Sequence, residues 1–230
     1  MARNKKRRLD RLRAAVSLLA LLLVARVLMS ILLTYQDYFP ADFNSAFLAG
    51  RQDHFRGIYK VAFYLHILIG PLTLVLAYAL QFSGSLMRRL NLHRPLGKTQ
   101  LTLIVLILSP TGLVMSTEAN TGAIAGWGFG ALSLLLSWVA IQAVLEIRRG
   151  NVAAHRIWAN RCFLMLNSPL ILRLNSGTCY LLGTESDLTY QLSAWLSWLA
   201  PLVLYECFRN QIQDDVLKMP VFHFTSLNRR

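Results

Sequence analysis

The sequence has few charged residues for its length. Only 15 % of its 230 residues are Asp, Glu, Lys or Arg, whereas 55 % are hydrophobic. Soluble domains carry about 25 % charged residues, because their surface has to interact with water. The composition therefore excludes a soluble enzyme and indicates a membrane protein.

Acidic residues are fewer than basic ones. The sequence has 11 Asp and Glu residues and 24 Lys and Arg residues, so its net charge is +13. The basic residues do not cover one face, as they would in a nucleic-acid-binding domain; they lie at the ends of apolar segments. This distribution argues against a nucleic-acid partner. It indicates a topology signal and an attraction to the anionic lipids of a bilayer.

Cysteine is also rare and shows no metal-binding spacing. The three cysteines, Cys162, Cys179 and Cys207, are 17 and 28 positions apart and form no CxxC pair. They predict neither a disulfide framework nor a zinc site.

What the sequence does contain is long apolar runs. A helix needs about 20 apolar residues to cross roughly 30 Å of hydrocarbon. We predict an all-α fold, a polytopic bundle of six transmembrane helices within residues 14–207, between a basic tail (1–13) and a C-terminal tail (208–230). The six predicted spans are 14–34, 58–82, 99–117, 122–146, 157–175 and 188–207.

The charges in the connecting segments predict the orientation of the bundle. Lys and Arg accumulate on the cytoplasmic side of short loops. Basic residues dominate the N-terminal tail and the segments before the third and fifth spans, whereas acidic residues dominate the other three loops. Both termini are therefore expected inside. The first run lacks a small-residue cleavage site and continues past Arg26, so we expect a retained helix rather than a signal peptide.

Four ionisable residues fall inside predicted spans, where each costs roughly 2.5 to 3.5 kcal/mol on insertion scales. They are Arg26, His66, Arg161 and Arg173. His66 is about seven residues into the second span, hence about 10 Å deep, and Arg173 is about two residues from the outer end of the fifth. His66 has two interpretations, a hydrogen bond to a neighbouring helix or a contact with a bound ligand.

Two prolines in the outer halves of the third and fifth spans predict kinks, at Ser109-Pro110 and Ser168-Pro169. A proline removes a backbone donor and leaves a carbonyl to be satisfied by a neighbour or in a cavity. Because Arg173 and His66 lie near these kinks, an outward-facing polar pocket is one interpretation and ordinary kinked packing is the other. The small residues Gly122, Gly126 and Gly130 of the fourth span indicate close helix packing.

Two further histidines begin the third and fifth spans from the cytoplasmic side, in the strings HRPLGK (93–98) and HRIWANR (155–161). His93 and His155 are thus expected at one membrane level. Facing neutral imidazoles with little bulk one turn away, at Gly97, would suit a haem iron. Arg94 and Arg156 would then neutralise the haem propionates. The alternative is that both HR pairs merely supply interfacial charge.

Three segments resemble a bacterial membrane family known as domain of unknown function 2306. They are FYLHILIGPLTL (63–74), HRPLGK (93–98) and GNVAAHRIWANRCFLMLNSPLILRL (150–174), and the resemblance extends over residues 58–176. It implies a multi-pass protein of the bacterial inner (cytoplasmic) membrane and brings no activity.

More remotely, the layout resembles the six-span cytochrome b-561 family, in which the third and fifth spans share one haem and the second and fourth share another. This resemblance implies one haem b, held by His93 and His155 as iron ligands. The fourth span has no histidine, so the second haem is expected to be absent. His66 would then serve as a proton acceptor for a quinol or other small ligand, with Arg173 as its partner.

The sequence thus leaves three functions open. The first is a membrane oxidoreductase component that passes electrons through a b-type haem from a quinol or small reductant to a redox partner protein. The second is a haem-free transporter or small-molecule-binding protein whose pocket contains His66 and Arg173. The third is a structural or assembly factor in which the polar residues only fix helix packing.

Overall fold

The structure is a computed structural model that describes residues 19, 22–45, 47–82 and 89–218, with side chains up to residue 209. The basic tail (1–13) and residues 219–230 of the C-terminal tail lie outside the described residues.

The described chain is all helical. It begins with α1 (22–33), which continues into a 3-10 helix at Thr34–Tyr38. The remaining helices are α2 (Gly57–Phe82), α3 (His93–Leu103), α4 (Ser109–Ser116), α5 (Ala123–Arg148), α6 (Val152–Leu166), α7 (Ser168–Leu182) and α8 (Asp187–Lys218). A π-helical turn at Ile104–Leu108 joins α3 to α4 without a break.

Three of the predicted spans are confirmed as helices long and apolar enough to cross a membrane. In the described residues these are Gly57–Phe82, His93–Ser116 and Ala123–Arg148, with mean hydropathies of 1.9, 1.6 and 1.8. They correspond to the second, third and fourth predicted spans. The third begins six residues earlier than predicted, because HRPLGK forms the first turns of α3 rather than a loop.

The helices run back and forth, so their ends collect at two levels. The acidic end comprises residues 34–57, 117–122 and 183–187, and the basic end comprises residues 89–92 and 149–151. α2 packs against α3, α4 and α6, and α5 packs against α4, α6 and α8. The main core lies between them and includes Val27 of α1, Ile104 of the π-helical turn and Met165 of α6.

The fifth predicted span is interrupted, whereas the third is not. α6 ends at Leu166, Asn167 lies between the two helices, and α7 begins at Ser168 with Pro169 in its first turn. The Asn167 side-chain amide donates to the carbonyl of Phe163 (2.7 Å), and its oxygen accepts from the hydroxyl of Tyr78 (2.7 Å). Asn167 therefore satisfies the backbone at the break and attaches it to α2, rather than facing a pocket.

Two of the three glycines predicted to serve helix packing do so, whereas Gly122 precedes α5 with a φ of 88° and faces open space. A Cβ at Gly126 would lie 2.6 Å from the backbone oxygen of Ser116, and one at Gly130 would lie 3.3 Å from the Ser116 hydroxyl. Only glycine allows α5 to approach the end of α4 this closely.

Candidate functional site

A cavity of about 300 Å³ lies in the half of the bundle nearer the acidic end. Its wall is formed by residues of α1, the segments 34–51 and 118–120, α2, α4, α5, α6, α7 and α8, and most of its lining surface is apolar. Polar and aromatic side chains on several of these elements also line it. They include Tyr35, Arg51, His66, Ser109, Ser133 and Arg173, and Gly112 lies beside His66.

His66 enters the cavity from α2 and is held by α4. Its Nδ1 lies 3.1 Å from the Thr111 hydroxyl oxygen. The ring packs over Gly112, where an added Cβ would lie 3.3 Å from His66 Cε1 and 2.5 Å from the Ser133 hydroxyl oxygen. Gly112 therefore makes room for the imidazole and for Ser133 on the same wall.

Arg173 lies at the edge of this cavity and is solvent-exposed. Its span was predicted to end at residue 175, but α7 continues to Leu182 and is capped by Gly183, which adopts a left-handed conformation with φ of 64°. Arg173 is therefore nine residues from the end of its helix, and His66 is nine residues from the start of α2 at Gly57. Counted along their helices, both lie about 14 Å from the acidic end.

Ser109 is a buried polar residue on the cavity wall. Its side chain is 3 % exposed, and its hydroxyl has no hydrogen-bond partner in the described residues. A buried hydroxyl without a partner costs about 1 to 3 kcal/mol. Because Ser109 lines a cavity, a bound molecule can supply the missing partner.

The segment 34–56 covers the cavity with an aromatic cluster. Tyr38, Leu48 and Phe55 of this segment are buried against Tyr59 and Phe63 of α2. Arg51 donates from Nε and Nη2 to the backbone oxygen of Glu118 (3.4 and 3.3 Å) and from Nη1 to that of Phe47. These bonds attach the covering segment to the end of α4.

Tyr35 connects this cover to the turn of α2 that carries His66. Pro71 lies inside α2 and has no N–H, which leaves the carbonyl of Ile67 without its intrahelical donor. The Tyr35 hydroxyl donates to that carbonyl. Burial raises the pKa of Tyr35 to about 12, with Tyr38 adding to the rise and Arg173 opposing it. Tyr35 therefore stays protonated, and Arg173 lies within electrostatic reach of it.

The sequence did not predict that Tyr35, Ser109 and Arg51 would be individual members of the site. A signal for Tyr35 was present, because a proline four residues after Ile67 predicts a free carbonyl. The partner that satisfies it comes from 32 positions away and could not be identified from spacing.

The two histidines assigned to a haem lie elsewhere, and neither lines the cavity. His155 of α6 contacts α5, with its Nδ1 2.7 Å from the backbone oxygen of Ala143. His93 begins α3 and is half-buried. Arg94 and Arg156 beside them are exposed. A Cβ at Gly97 would meet nothing within 4 Å, so the space beside it is open.

Arg161, the other arginine of the predicted fifth span, contacts a neighbouring helix. Its Nε donates to the Glu206 carboxylate of α8 (2.6 Å), and its guanidinium lies 4.2 Å from the ring centroid of Trp158. Arg161 therefore ties α6 to α8 near the basic end. Arg26 of α1 is exposed and lies in a shallow surface groove with Ser30 and Asp37.

Comparison with known proteins identifies the domain but assigns no chemistry to it. A family model described as "Predicted membrane protein (DUF2306)" matches residues 63–208, which include all of α3 to α7 and most of α2. No curated protein and no solved structure matches the chain.

Proposed function

We propose that this chain, which belongs to the DUF2306 family of predicted membrane proteins, binds a small, largely apolar molecule with a polar head group in the cavity beside His66. The observation that carries the proposal is the unpartnered hydroxyl of Ser109, buried on the wall of a cavity that also holds His66 and Arg173. A cavity that served only packing would not need polar groups from three different elements.

The chemistry of the lining supports a quinone or quinol head group, or a molecule like it. Phe63, Phe129 and Leu132 supply apolar surface for a ring. His66 and Ser109 supply hydrogen-bonding groups at depth, and Arg173 supplies a positive charge at the edge. Specific sites for small molecules typically combine such an apolar lining with a few placed polar groups.

The proposal includes six spans with both termini inside, in a bacterial inner membrane. The fifth span would consist of α6 and α7 together, and the acidic end would face outward, because the basic residues accumulate at the other end. The cavity would then belong to the outer half of the membrane, covered by the segment 34–56.

Cysteine labelling tests this orientation. Cys179 is half-buried near the acidic end, Cys207 is exposed near the basic end, and Cys162 is buried. An impermeant thiol reagent added to intact cells is expected to label Cys179 and not Cys207, and to label Cys207 only after the membrane is opened. Labelling of Cys207 in intact cells, with Cys179 protected, would show the opposite orientation.

Thermal unfolding in nanodiscs tests ligand binding. A short-chain quinol at about 100 times its Kd is expected to stabilise the protein by about 2.7 kcal/mol, which raises Tm by about 5–10 °C for a chain of this size. At the same ligand concentration the rise should fall to about half in His66→Phe, which keeps a ring and loses the nitrogens, because a tenfold higher Kd lowers the stabilisation to about 1.4 kcal/mol. It should persist in full in His54→Phe, since His54 lies outside the cavity. The absence of a rise with both the quinol and the quinone would contradict the proposal.

A b-type haem between His93 and His155, serving electron transfer to a redox partner, is the second candidate. The observation that favours it is the contact of His155 with the Ala143 carbonyl. A carbonyl only accepts, so Nδ1 carries the proton and Nε2 keeps a lone pair suited to iron. The open space beside Gly97 also fits. A visible spectrum of protein purified from haem-replete cells tests this candidate. A Soret band that is lost in both His93→Ala and His155→Ala would support the haem, and a colourless protein would exclude it.

A further inference from the structure

Two backbone carbonyls near the Thr111 hydroxyl determine the direction of the hydrogen bond between His66 and Thr111. Its oxygen lies 2.7 Å from the backbone oxygen of Ile107 and 3.0 Å from that of Leu108. Both carbonyls can only accept, so the single hydroxyl hydrogen is directed to them, as is usual for a helical threonine. The hydroxyl oxygen therefore presents a lone pair to His66 Nδ1, 3.1 Å away.

This arrangement fixes which ring nitrogen of His66 carries the hydrogen. A lone pair on Thr111 requires a hydrogen on Nδ1. A neutral imidazole has one N–H, and a charged one is costly inside a membrane. Nε2 is then a bare acceptor. The His66 ring also contacts the backbone carbonyl of Leu108, a second group that can only accept, and it lines the cavity.

We infer that the cavity selects a hydroxyl over a carbonyl or ether oxygen, and so binds the reduced, hydroxylated form of a redox-active ring, because Thr111 holds His66 with its Nε2 lone pair available to the ligand. This inference rests on the proposed function and names the ligand class within it. Thr111 is the positioning residue, and His66 is the group that contacts the ligand.

Ser109 does not impose the same choice. A serine hydroxyl donates or accepts by rotation, so it bonds either form of a ligand. Rotation cannot turn His66 Nε2 into a donor. It stays an acceptor as long as Nδ1 carries the hydrogen that is donated to Thr111. If a ligand carbonyl faces Nε2, both acceptors are left without a donor, which costs about 1 to 3 kcal/mol. This cost is equivalent to a preference of about 5- to 150-fold for the hydroxyl.

A pair of probes of nearly equal size tests the selectivity without redox chemistry. 4-Heptylphenol has a hydroxyl that donates, and 4-heptylanisole has a methyl ether that only accepts. We expect the wild-type protein in nanodiscs to bind the phenol at least about fivefold more tightly. Thr111→Val has the same shape but no lone pair, and it should reduce the preference to less than about threefold. Thr111→Ser should restore it.

Thr178→Val is the matched control. Thr178 also bonds back along its helix, to the backbone oxygen of Leu174 (2.8 Å), but it lies on the exposed surface outside the cavity. This variant should keep the wild-type preference.

The nitrogen-15 chemical shifts of the labelled His66 ring give an independent measurement, since they distinguish a protonated nitrogen from a bare one. We expect a protonated Nδ1 in the wild type and in Thr111→Ser. A protonated Nε2, equal binding of the two probes, or an unchanged preference in Thr111→Val would each overturn the selectivity while the proposed binding function stands. Failure of both probes to bind would overturn both.

Discussion

The Ser109→Ala protein is expected to be more stable than the wild type without ligand and to bind ligand more weakly. The wild-type hydroxyl is buried without a hydrogen-bond partner, and its removal relieves a cost of about 1 to 3 kcal/mol. Each kcal/mol corresponds to about 2–4 °C in Tm for a chain of this length. The same change removes a contact from the ligand, so the Kd of a short-chain quinol should rise about tenfold.

Ser197→Ala is the matched control, with the opposite sign. Ser197 is also fully buried, but its hydroxyl is paired with that of Ser168 at 2.8 Å and lies outside the cavity wall. Its removal leaves Ser168 without this partner and should lower Tm. If Ser109→Ala lowered Tm as much as Ser197→Ala, the Ser109 hydroxyl would have a structural partner, and the argument for a ligand there would be lost.

Much of the fold was predictable because the bilayer imposes a length on its helices. The second, third and fourth spans follow from apolar runs alone, and their boundaries differ from the helix ends by a few residues, except where α3 includes HRPLGK. The glycines of α5 were recognised as packing residues from their spacing of four, and Gly126 indeed faces the backbone of Ser116.

The interior of the fifth span was less predictable. A proline indicates a kink but not its form: Pro110 follows a π-helical turn in a continuous helix, whereas Pro169 follows a break. The end of the fifth span was predicted at residue 175, but residues 176–182, which were expected to be a loop, form two more turns of α7. Local hydropathy does not show where a helix ends, because helix propensity is a weak guide that tertiary context overrides.

The candidate site was predictable in part. His66 and Arg173 were singled out because ionisable groups in a membrane are costly, and both line one cavity. The roles of Thr111 and Tyr35 depend on contacts with α2 over separations of 45 and 32 residues, to the His66 ring nitrogen and to the Ile67 carbonyl, and no local pattern encodes these contacts.

A double-mutant cycle on His66 and Arg173 is expected to show that the two residues serve one ligand. They come from different helices, lie at similar levels, and line the same cavity. His66→Gln and Arg173→Gln should each raise the Kd of a short-chain quinol about tenfold, since each removes one polar contact. Expression and thermal unfolding without ligand should stay close to the wild type in both.

The Kd of the double variant is the measurement that tests this account most directly. If both side chains contact the same molecule, the combined loss should be smaller than the product of the two single losses, with a coupling free energy of at least about 0.5 kcal/mol. Independent losses that multiply, or an unchanged Kd in both single variants, would mean that His66 and Arg173 are packing elements and that the cavity is not their common binding site.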